Sequence, residues 1–186
     1  MDRAKTVKHE YGETKVSLIG FPHDEDWMEV KRRALVTIHR QPKGAPTKEW
    51  KSDILRARHS PIRYARYSFL MEAIPSNTAT HFVRHVHAQP YVSTLRNDLQ
   101  EIMDGDHAPR CTPVDMILDV NAEELMVIAN KRLCAKAARL TREITKAMCA
   151  LAAEATPEIG RCLVPMCEYH GGVCHEMHGC GKCMEG

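Results

Sequence analysis

Residues 81–96 have the sequence HFVRHVHAQPYVSTLR, and they carry more information about the fold than any other stretch of the chain. Arg84 and His85 are predicted to lie at the end of a helix that stops before Pro90, which cannot continue it. A turn with two hydroxyl side chains follows, and then Arg96. The planar guanidinium of arginine suits phosphate oxygens, and turn hydroxyls and N–H groups bind further anionic oxygens. The stretch therefore predicts a nucleotide-binding loop; the alternative is two surface arginines beside an ordinary turn.

Upstream of this stretch, the hydrophobic pattern predicts a strand, two helices, a second strand and a third helix. The predicted bounds are 15–20, 24–39, 47–58, 62–73, and from Ser76 or Asn77 to about 87. In the second strand, alternate residues are apolar and are expected to face the core. They are Ala65, Tyr67, Phe69, Met71 and Ala73.

Downstream, the pattern predicts an extended stretch or loop, a break, a third strand and one long helix. The predicted bounds are 89–97, 104–113, 114–120, and Ala122 to about Ala153. The long helix follows from apolar residues that recur at steps of three or four. Asn121 is a good N-cap for it, with Glu124 as the capping-box partner. Strands mixed with amphipathic helices predict an α/β domain.

The composition excludes some functions. A chain of 186 residues suits one domain with a sizeable core, and a net charge of +2 is too small for bulk binding to nucleic acid or membranes. No apolar run approaches the ~20 residues that span a bilayer. Residues 1–10 are charged and have no apolar signal core. The expectation is a soluble, cytoplasmic protein.

The motif resembles the signature of the flavin-dependent thymidylate synthases, which is Arg-His-Arg, two residues, Ser, four residues, Ser, one residue and Arg. Arg84, His85 and Arg96 match it in identity and spacing, and Thr94 keeps the hydroxyl of the second Ser. Two further segments resemble the family in the right order. They are His59-Ser60-Pro61 upstream, and Asn121 to Leu125 followed by Lys131-Arg132 and Ala137 downstream, so that the resemblance covers residues 15–160.

The sequence also departs from the family. Val86 replaces the second Arg of the signature, and Gln89 replaces the first Ser. Glu123 stands where the family has a flavin-contacting Arg, and Arg63 replaces a commonly acidic residue beside the flavin. The remaining departures are Ala138 in place of a Gln, and a shortened segment before Asn121 in which Arg110 is the candidate for a further substrate-binding Arg.

The resemblance implies an α/β (α+β) fold, with a small mixed or antiparallel sheet packed with long helices. It implies a flavoprotein methyltransferase of the dUMP-to-dTMP type. Such enzymes reduce FAD with NADPH and use the reduced flavin with methylenetetrahydrofolate to methylate C5 of dUMP. The cofactor carries the chemistry, and the protein supplies position and electrostatics. The resemblance further implies a homotetramer whose active sites are shared between chains.

By the same resemblance, Arg96 and Arg132 are the catalytic residues, which bind the substrate phosphate or polarise the pyrimidine carbonyls. The flavin is expected to contact Ser60, Arg84, His85, Val86 and Asn121. The nucleotide is expected to contact His81, Arg84, Ser93, Thr94, Leu95, Arg96, Arg110 and Arg132. Plainer interpretations stay open: Asn121 is only a helix cap, Arg132 is only a solvated helix residue, or His81 and His85 share a metal ion.

Four of the eight cysteines crowd into the last 20 residues, which we expect to form a Cys/His-rich tail at 161–186 after a domain at 1–160. They are Cys167, Cys174, Cys180 and Cys183. Only one CxxC pair has the spacing of a zinc knuckle. Zinc binding, disulfide or redox chemistry, and free thiols all stay open.

Two other functions remain possible. The departures from the signature are compatible with a different pyrimidine nucleotide, or with hydroxymethylation in place of methylation. The chain could also be a catalytically inactive homologue or a zinc-tailed binding protein. Nucleic acid is the least favoured partner, because aromatic residues make up only 5% of the chain and the charge is nearly balanced.

Overall fold

The computed structural model describes residues 3–96 and 107–185. Its centre is a five-stranded antiparallel sheet in the order β1-β2-β3-β5-β4. The strands are β1 (Ala4–His9), β2 (Gly12–Gly20), β3 (Arg66–Pro75), β4 (Gln89–Val92) and β5 (Pro113–Asn121). A short parallel pair, β6 (Val173–Cys174) and β7 (Met184–Glu185), lies near the end of the chain.

Helices pack on the sheet and bury one of its faces. They are α1 (Asp24–Val36), α2 (Lys48–Arg56), α3 (Ser76–Val83), α4 (Ala122–Arg132), α5 (Arg139–Ala155) and α6 (Met166–Tyr169), with 3-10 helices at Ser60–Tyr64 and Pro157–Cys162. Alternate residues of β3, such as Tyr67 and Phe69, are fully buried, and Met116 and Leu118 of β5 share the same core. The predicted α/β class is therefore confirmed.

Most of the predicted elements are present with small shifts at their ends. The predicted strands at 15–20 and 114–120 and the helices at 24–39 and 47–58 correspond to β2, β5, α1 and α2. Thr47 caps α2, since its side chain accepts from the backbone N–H of Trp50. β1 was not predicted; it pairs with β2 across a tight turn in which Gly12 has a φ of +124°. Part of the predicted break at 104–113, and residue 97 of the extended stretch, lie outside the described residues.

The predicted strand at 62–73 starts too early and has the wrong parity at its end. A 3-10 helix with Pro61 in its first turn occupies Ser60–Tyr64, so β3 starts only at Arg66. Ala73 was expected to face the core, but it is exposed and has a φ of +56°. A bulge between Met71 and Ile74 shifts the register and buries Ile74 in its place.

The prediction of one continuous helix from Ala122 to Ala153 is wrong, because residues 133–138 separate α4 from α5. A single helix of that length would extend about 48 Å. The break lets α4 pack on the central strands while α5 turns back over β1 and β2. Tertiary contacts hold the break: the Arg142 guanidinium donates to the carbonyl of Ala135 at 2.9 Å. Tertiary packing thus overrides the high local helix propensity.

The helix predicted to reach residue 87 ends at Val83. Turns follow in which the N–H of His85 bonds to the Phe82 carbonyl, and that of Ala88 to the His85 carbonyl, both at 3.1 Å. They reverse the chain so that Gln89 can pair with Asp119 on β5. Within the part of the chain that the structure describes, no helix combines the length and apolarity needed to cross a bilayer.

Candidate functional site

The end of α3 meets both ends of α4 around His85, which is only 8% exposed. Arg132, the last residue of α4, donates from Nε to His85 Nε2 at 3.1 Å and from Nη2 to the carbonyl oxygen of His81 at 2.7 Å. On the other side of the imidazole, Nδ1 lies 3.0 Å from Oε1 of Glu124. These four residues form one connected unit, which we call the His85 network.

The hydrogen bond from Arg132 determines which ring nitrogen of His85 carries the proton. A guanidinium only donates, so Nε2 of His85 must accept, and the proton lies on Nδ1. Nδ1 then donates to Glu124, which is 4% exposed. The N-cap Asn121 accepts from the backbone N–H of Glu124 at 2.9 Å and so fixes the first turn that carries the carboxylate. The network therefore holds the Arg132 guanidinium in one orientation.

The side chains of Arg84 and Arg132 concentrate positive charge at the network. Burial, and then the nearby Arg84 guanidinium, lower the pKa of Arg132. Burial also lowers the pKa of His81, and Arg132 and Arg84 lower it further. The His81 ring is positioned by Thr141, whose Oγ1 lies 2.6 Å from Nδ1. Two guanidiniums beside an uncharged imidazole form a site that favours an anion, because an anion relieves their mutual repulsion.

Two of the predicted flavin contacts, Val86 and Asn121, line one small cavity next to the network. This cavity has a volume of about 240 Å³ and is also lined by Arg66, Gln89 and Asp119. Asn121 is thus both the helix cap and a wall of the cavity. The alternative of a metal ion shared by His81 and His85 gains no support, because their rings face different partners.

Two departures from the family turn out to be complementary. Arg63, on the 3-10 helix that starts at Ser60, donates from Nε to the carboxylate of Glu123 at the start of α4. This bond raises the pKa of Arg63. The resemblance predicted the opposite charges at these two positions, and here an ion pair joins them. The pair brings the exposed Ser60 segment next to the first turn of α4.

The remaining predicted site residues lie at the other end of the sheet. Ser93 bonds to Asp115 twice: its N–H donates to the Asp115 carbonyl at 2.8 Å, and its Oγ accepts from the Asp115 N–H at 2.9 Å. Arg110 lies at this end too, since its carbonyl accepts from the N–H of Asn77 at the start of α3. Asp115 and Asn121 are six residues apart on β5, or about 20 Å.

We call this second group the distal segment; it comprises Ser93, Thr94, Leu95, Arg96 and Arg110. Leu95 packs against the core, and the N–H of Arg96 donates to Oγ1 of Thr94 at 3.1 Å. The chain therefore brings His81, Arg84, His85, Asn121 and Arg132 together. Ser93 of the distal segment lies about 20 Å along β5 from the Asn121 end of this group.

Sequence reasoning missed two residues of the site. Glu124 was predicted only as a capping-box partner, and its burial against His85 depends on how α3 packs on α4. Thr141, on the first turn of α5, was hidden by the prediction of a single long helix. Neither residue stands out in the local pattern, because its role arises only from tertiary contact.

The comparisons with known proteins support the fold but not a closer assignment. No family model matches the chain, and no curated protein matches it. Among solved structures, the fold is similar to thymidylate synthase X (ThyX) from Helicobacter pylori with FAD and dUMP, with a TM-score of 0.62 and 16% identity over 80% of this chain and 98% of that one. A second structure, of flavin-dependent thymidylate synthase ThyX from the same organism and also complexed with FAD and dUMP, has a TM-score of 0.62. Its sequence is 15% identical, and the match covers 79% of this chain and 98% of that one. At this identity the likeness shows the fold alone.

The Glu124→Ala variant should be less stable than wild type. Removing the carboxylate leaves the buried Nδ1–H of His85 without an acceptor, which costs about 1–3 kcal/mol. Glu124→Gln is the matched control, because its amide oxygen still accepts a hydrogen bond. Urea unfolding should rank the stabilities as wild type, then Gln, then Ala. An alanine variant as stable as wild type would show that the network does not hold His85.

The Arg84→Ala variant should raise the pKa of His81, because a cation that disfavours imidazolium is removed. In the wild type the pKa lies below the ordinary 6.5, so the folded state binds this proton less tightly than the unfolded chain. His81 therefore lowers stability as the pH falls through about 6.5, and Arg84→Ala should weaken that loss. NMR titration of the His81 ring measures the shift. Arg110→Ala, at the other end of the sheet, should leave it unchanged; an equal shift there would contradict the placement of Arg84.

Proposed function

We propose that this chain is a flavin-dependent thymidylate synthase-type enzyme, which holds FAD against dUMP and transfers a one-carbon unit from methylenetetrahydrofolate to C5 of the uracil ring. NADPH is the proposed reductant. One observation carries the proposal: His85, which matches the family signature, is hydrogen-bonded to Arg132, with the charge of the neighbouring signature residue Arg84 close by, on a fold shared with enzymes of that type. A chance match of a short motif does not predict such contacts.

In this proposal Arg132 and Arg84 bind the negative charge of the nucleotide. The network supplies what such a site needs, because Arg132 is oriented before the ligand arrives and is partly shielded from water. His81 lies beside both guanidiniums and is expected to face the pyrimidine. FAD, when bound, supplies the hydride chemistry; Asn121, Val86 and His85 would contribute to holding it.

The cavity beside Asn121 is too small to hold a whole flavin. Its volume of about 240 Å³ is below the ~300–1,000 Å³ typical of ligand sites. The distal segment, with Ser93, Arg96 and Arg110, is about 20 Å away along β5. Both facts support a shared active site, in which the distal segment of one copy completes the His85 network of another within a homotetramer. A closed symmetric assembly repeats this contact at every site.

Turnover by the purified chain tests the reaction. With FAD, NADPH and methylenetetrahydrofolate, we expect a flavin absorption spectrum and conversion of dUMP to dTMP. UMP, dCMP and CMP should be poorer substrates. Preference for one of those three, or a hydroxymethylated product, would favour the same fold with a different nucleotide or reaction. A protein that cannot be loaded with FAD would exclude both enzymes and leave an inactive homologue.

Arg132→Ala should lower kcat for dUMP by about 10²–10³-fold, the loss typical when a preorganised donor is removed from a developing charge. Arg32→Ala is the control, because Arg32 lies on α1 and pairs with Glu29 at the surface. Nucleotide binding by calorimetry and folding by circular dichroism separate the two effects. Near-normal activity in a folded Arg132→Ala protein would remove Arg132 from the site.

Mixing two inactive variants tests whether sites are shared. Arg132→Ala disables the His85 network, and Arg96→Ala disables the distal segment. If each site takes these parts from different copies, co-expression in equal amounts should restore both parts in about one site in four. If one copy supplies both parts, no mixed assembly contains an intact site. Activity that stays at the level of the separate variants would therefore contradict a shared site.

A further inference from the structure

The four tail cysteines converge although the sequence separates them by up to 16 residues. Cys167 lies on α6, and Cys174 ends β6. The parallel pairing of Val173 with Met184 brings the CxxC pair, Cys180 and Cys183, back toward Cys174. All four line one cavity of about 1040 Å³.

The tail needs a crosslink to hold its shape. Leu163 is the last buried residue among those described, so the tail has no hydrophobic core of its own. It nonetheless makes sharp turns at Gly171, Gly172 and Gly181, whose φ angles are +69°, +95° and +73°. A segment this small and this poor in buried apolar surface folds only with disulfides or a metal. All eight cysteines of the chain are free thiols.

The surroundings suit a negatively charged centre. Four lysines line the same cavity: Lys131, Lys136, Lys146 and Lys182. Lys136 donates to the carbonyl of His178, and Lys131 lies 3.7 Å from Glu176, so the end of α4 and the segment after it are docked on the tail. Four thiolates around a divalent ion carry a net charge of −2, which nearby ammonium groups offset.

We propose that Cys167, Cys174, Cys180 and Cys183 bind one Zn²⁺ as a tetrahedral structural site. Binding replaces four thiol protons by the metal and involves no oxidation. In the described residues no three ligand side chains already stand at coordination geometry, so the thiolates close in as the metal binds. His170 and His175 are not ligands here; their rings pack edge to face at 5.1 Å. The proposal does not depend on the proposed enzyme activity.

Zinc bound by the tail would also affect the segment that follows α4. Leu133, Cys134, Ala135 and Lys136 line the cavity directly after Arg132. Zinc bound by the tail would therefore clamp the segment that separates α4 from α5. Removing the metal should increase amide hydrogen exchange at residues 133–138 and leave the exchange of the central strands β3 and β5 unchanged.

Metal analysis of the full chain, purified under reducing conditions, tests the proposal. We expect one zinc per chain in the wild type and in Cys111→Ser, and close to none in the double variant Cys180→Ser with Cys183→Ser. A wild type that stays metal-free after incubation with zinc would overturn the proposal. Zinc retained at one per chain by the double variant, or a disulfide among the four cysteines, would do the same.

Cobalt substitution tests the ligand set without relying on a variant that fails to fold. Co²⁺ added to metal-free wild type should give the intense visible bands and the sulfur charge-transfer bands of tetrahedral thiolate coordination. The same spectrum should appear in a His170→Ala, His175→Ala double variant. Absence of the thiolate bands in the wild type, or a changed spectrum in the histidine variant, would overturn the assignment of four cysteine ligands.

Discussion

The position of Arg132 depends on one hydrogen bond, from its Nε to Nε2 of the buried His85. Because a guanidinium cannot accept, this bond selects the tautomer of the imidazole, and the tautomer in turn requires an acceptor at Nδ1. Glu124 is that acceptor. A buried carboxylate and a partly buried guanidinium are costly to bury unless each is paired. The arrangement thus persists only if α3 and both ends of α4 are all in place, which makes the geometry of the site a property of the whole helical layer.

Local patterns in the sequence were enough to predict the elements that carry this network. The alternation at Tyr67, Phe69 and Met71 fixed the buried face of β3, and the N-cap at Asn121 fixed the start of α4. The local pattern gave wrong predictions where tertiary contacts determine the structure. Ala73 lies outside the core because a bulge shifts the strand register, and the alternation of apolar and polar residues gives no sign of a bulge. The long helix breaks after Arg132 because α4 and α5 cover different strands.

The candidate site, too, was predictable from the sequence only in part. Arg84, His85 and Arg132 could be selected from the sequence by residue type and spacing. Glu124 could not, because its role depends on burial against α3. The pairing of Arg63 with Glu123 was equally hidden: each looked like a separate departure from the resembled signature, and only the contact shows that the two residues form an ion pair. Substitutions at positions in contact have to be judged as pairs, since their effects are coupled.

The strand order spreads the proposed site residues along the sheet. β4 is the edge strand, and it runs antiparallel to β5 from Gln89 beside Asp119 to Ser93 beside Asp115. The signature therefore starts at the Asn121 end of the sheet and finishes at the Pro113 end. A motif that follows an edge strand is stretched along it, which is why we propose that its two halves meet at one ligand across an interface.

The end of α4 links the two proposed sites. Arg132 closes α4 and belongs to the His85 network, while the next residues, Leu133 and Cys134, already line the tail cavity. The helix end is held from both sides: the carbonyl of His81 and the imidazole of His85 fix the guanidinium, and the Lys131 and Lys136 contacts fix the backbone that follows. The segment between α4 and α5 is thus held at two places, at the Arg132 side chain and along the backbone that follows it. Because both sets of contacts act on the same short segment, we expect the order of the tail and the orientation of Arg132 to be coupled.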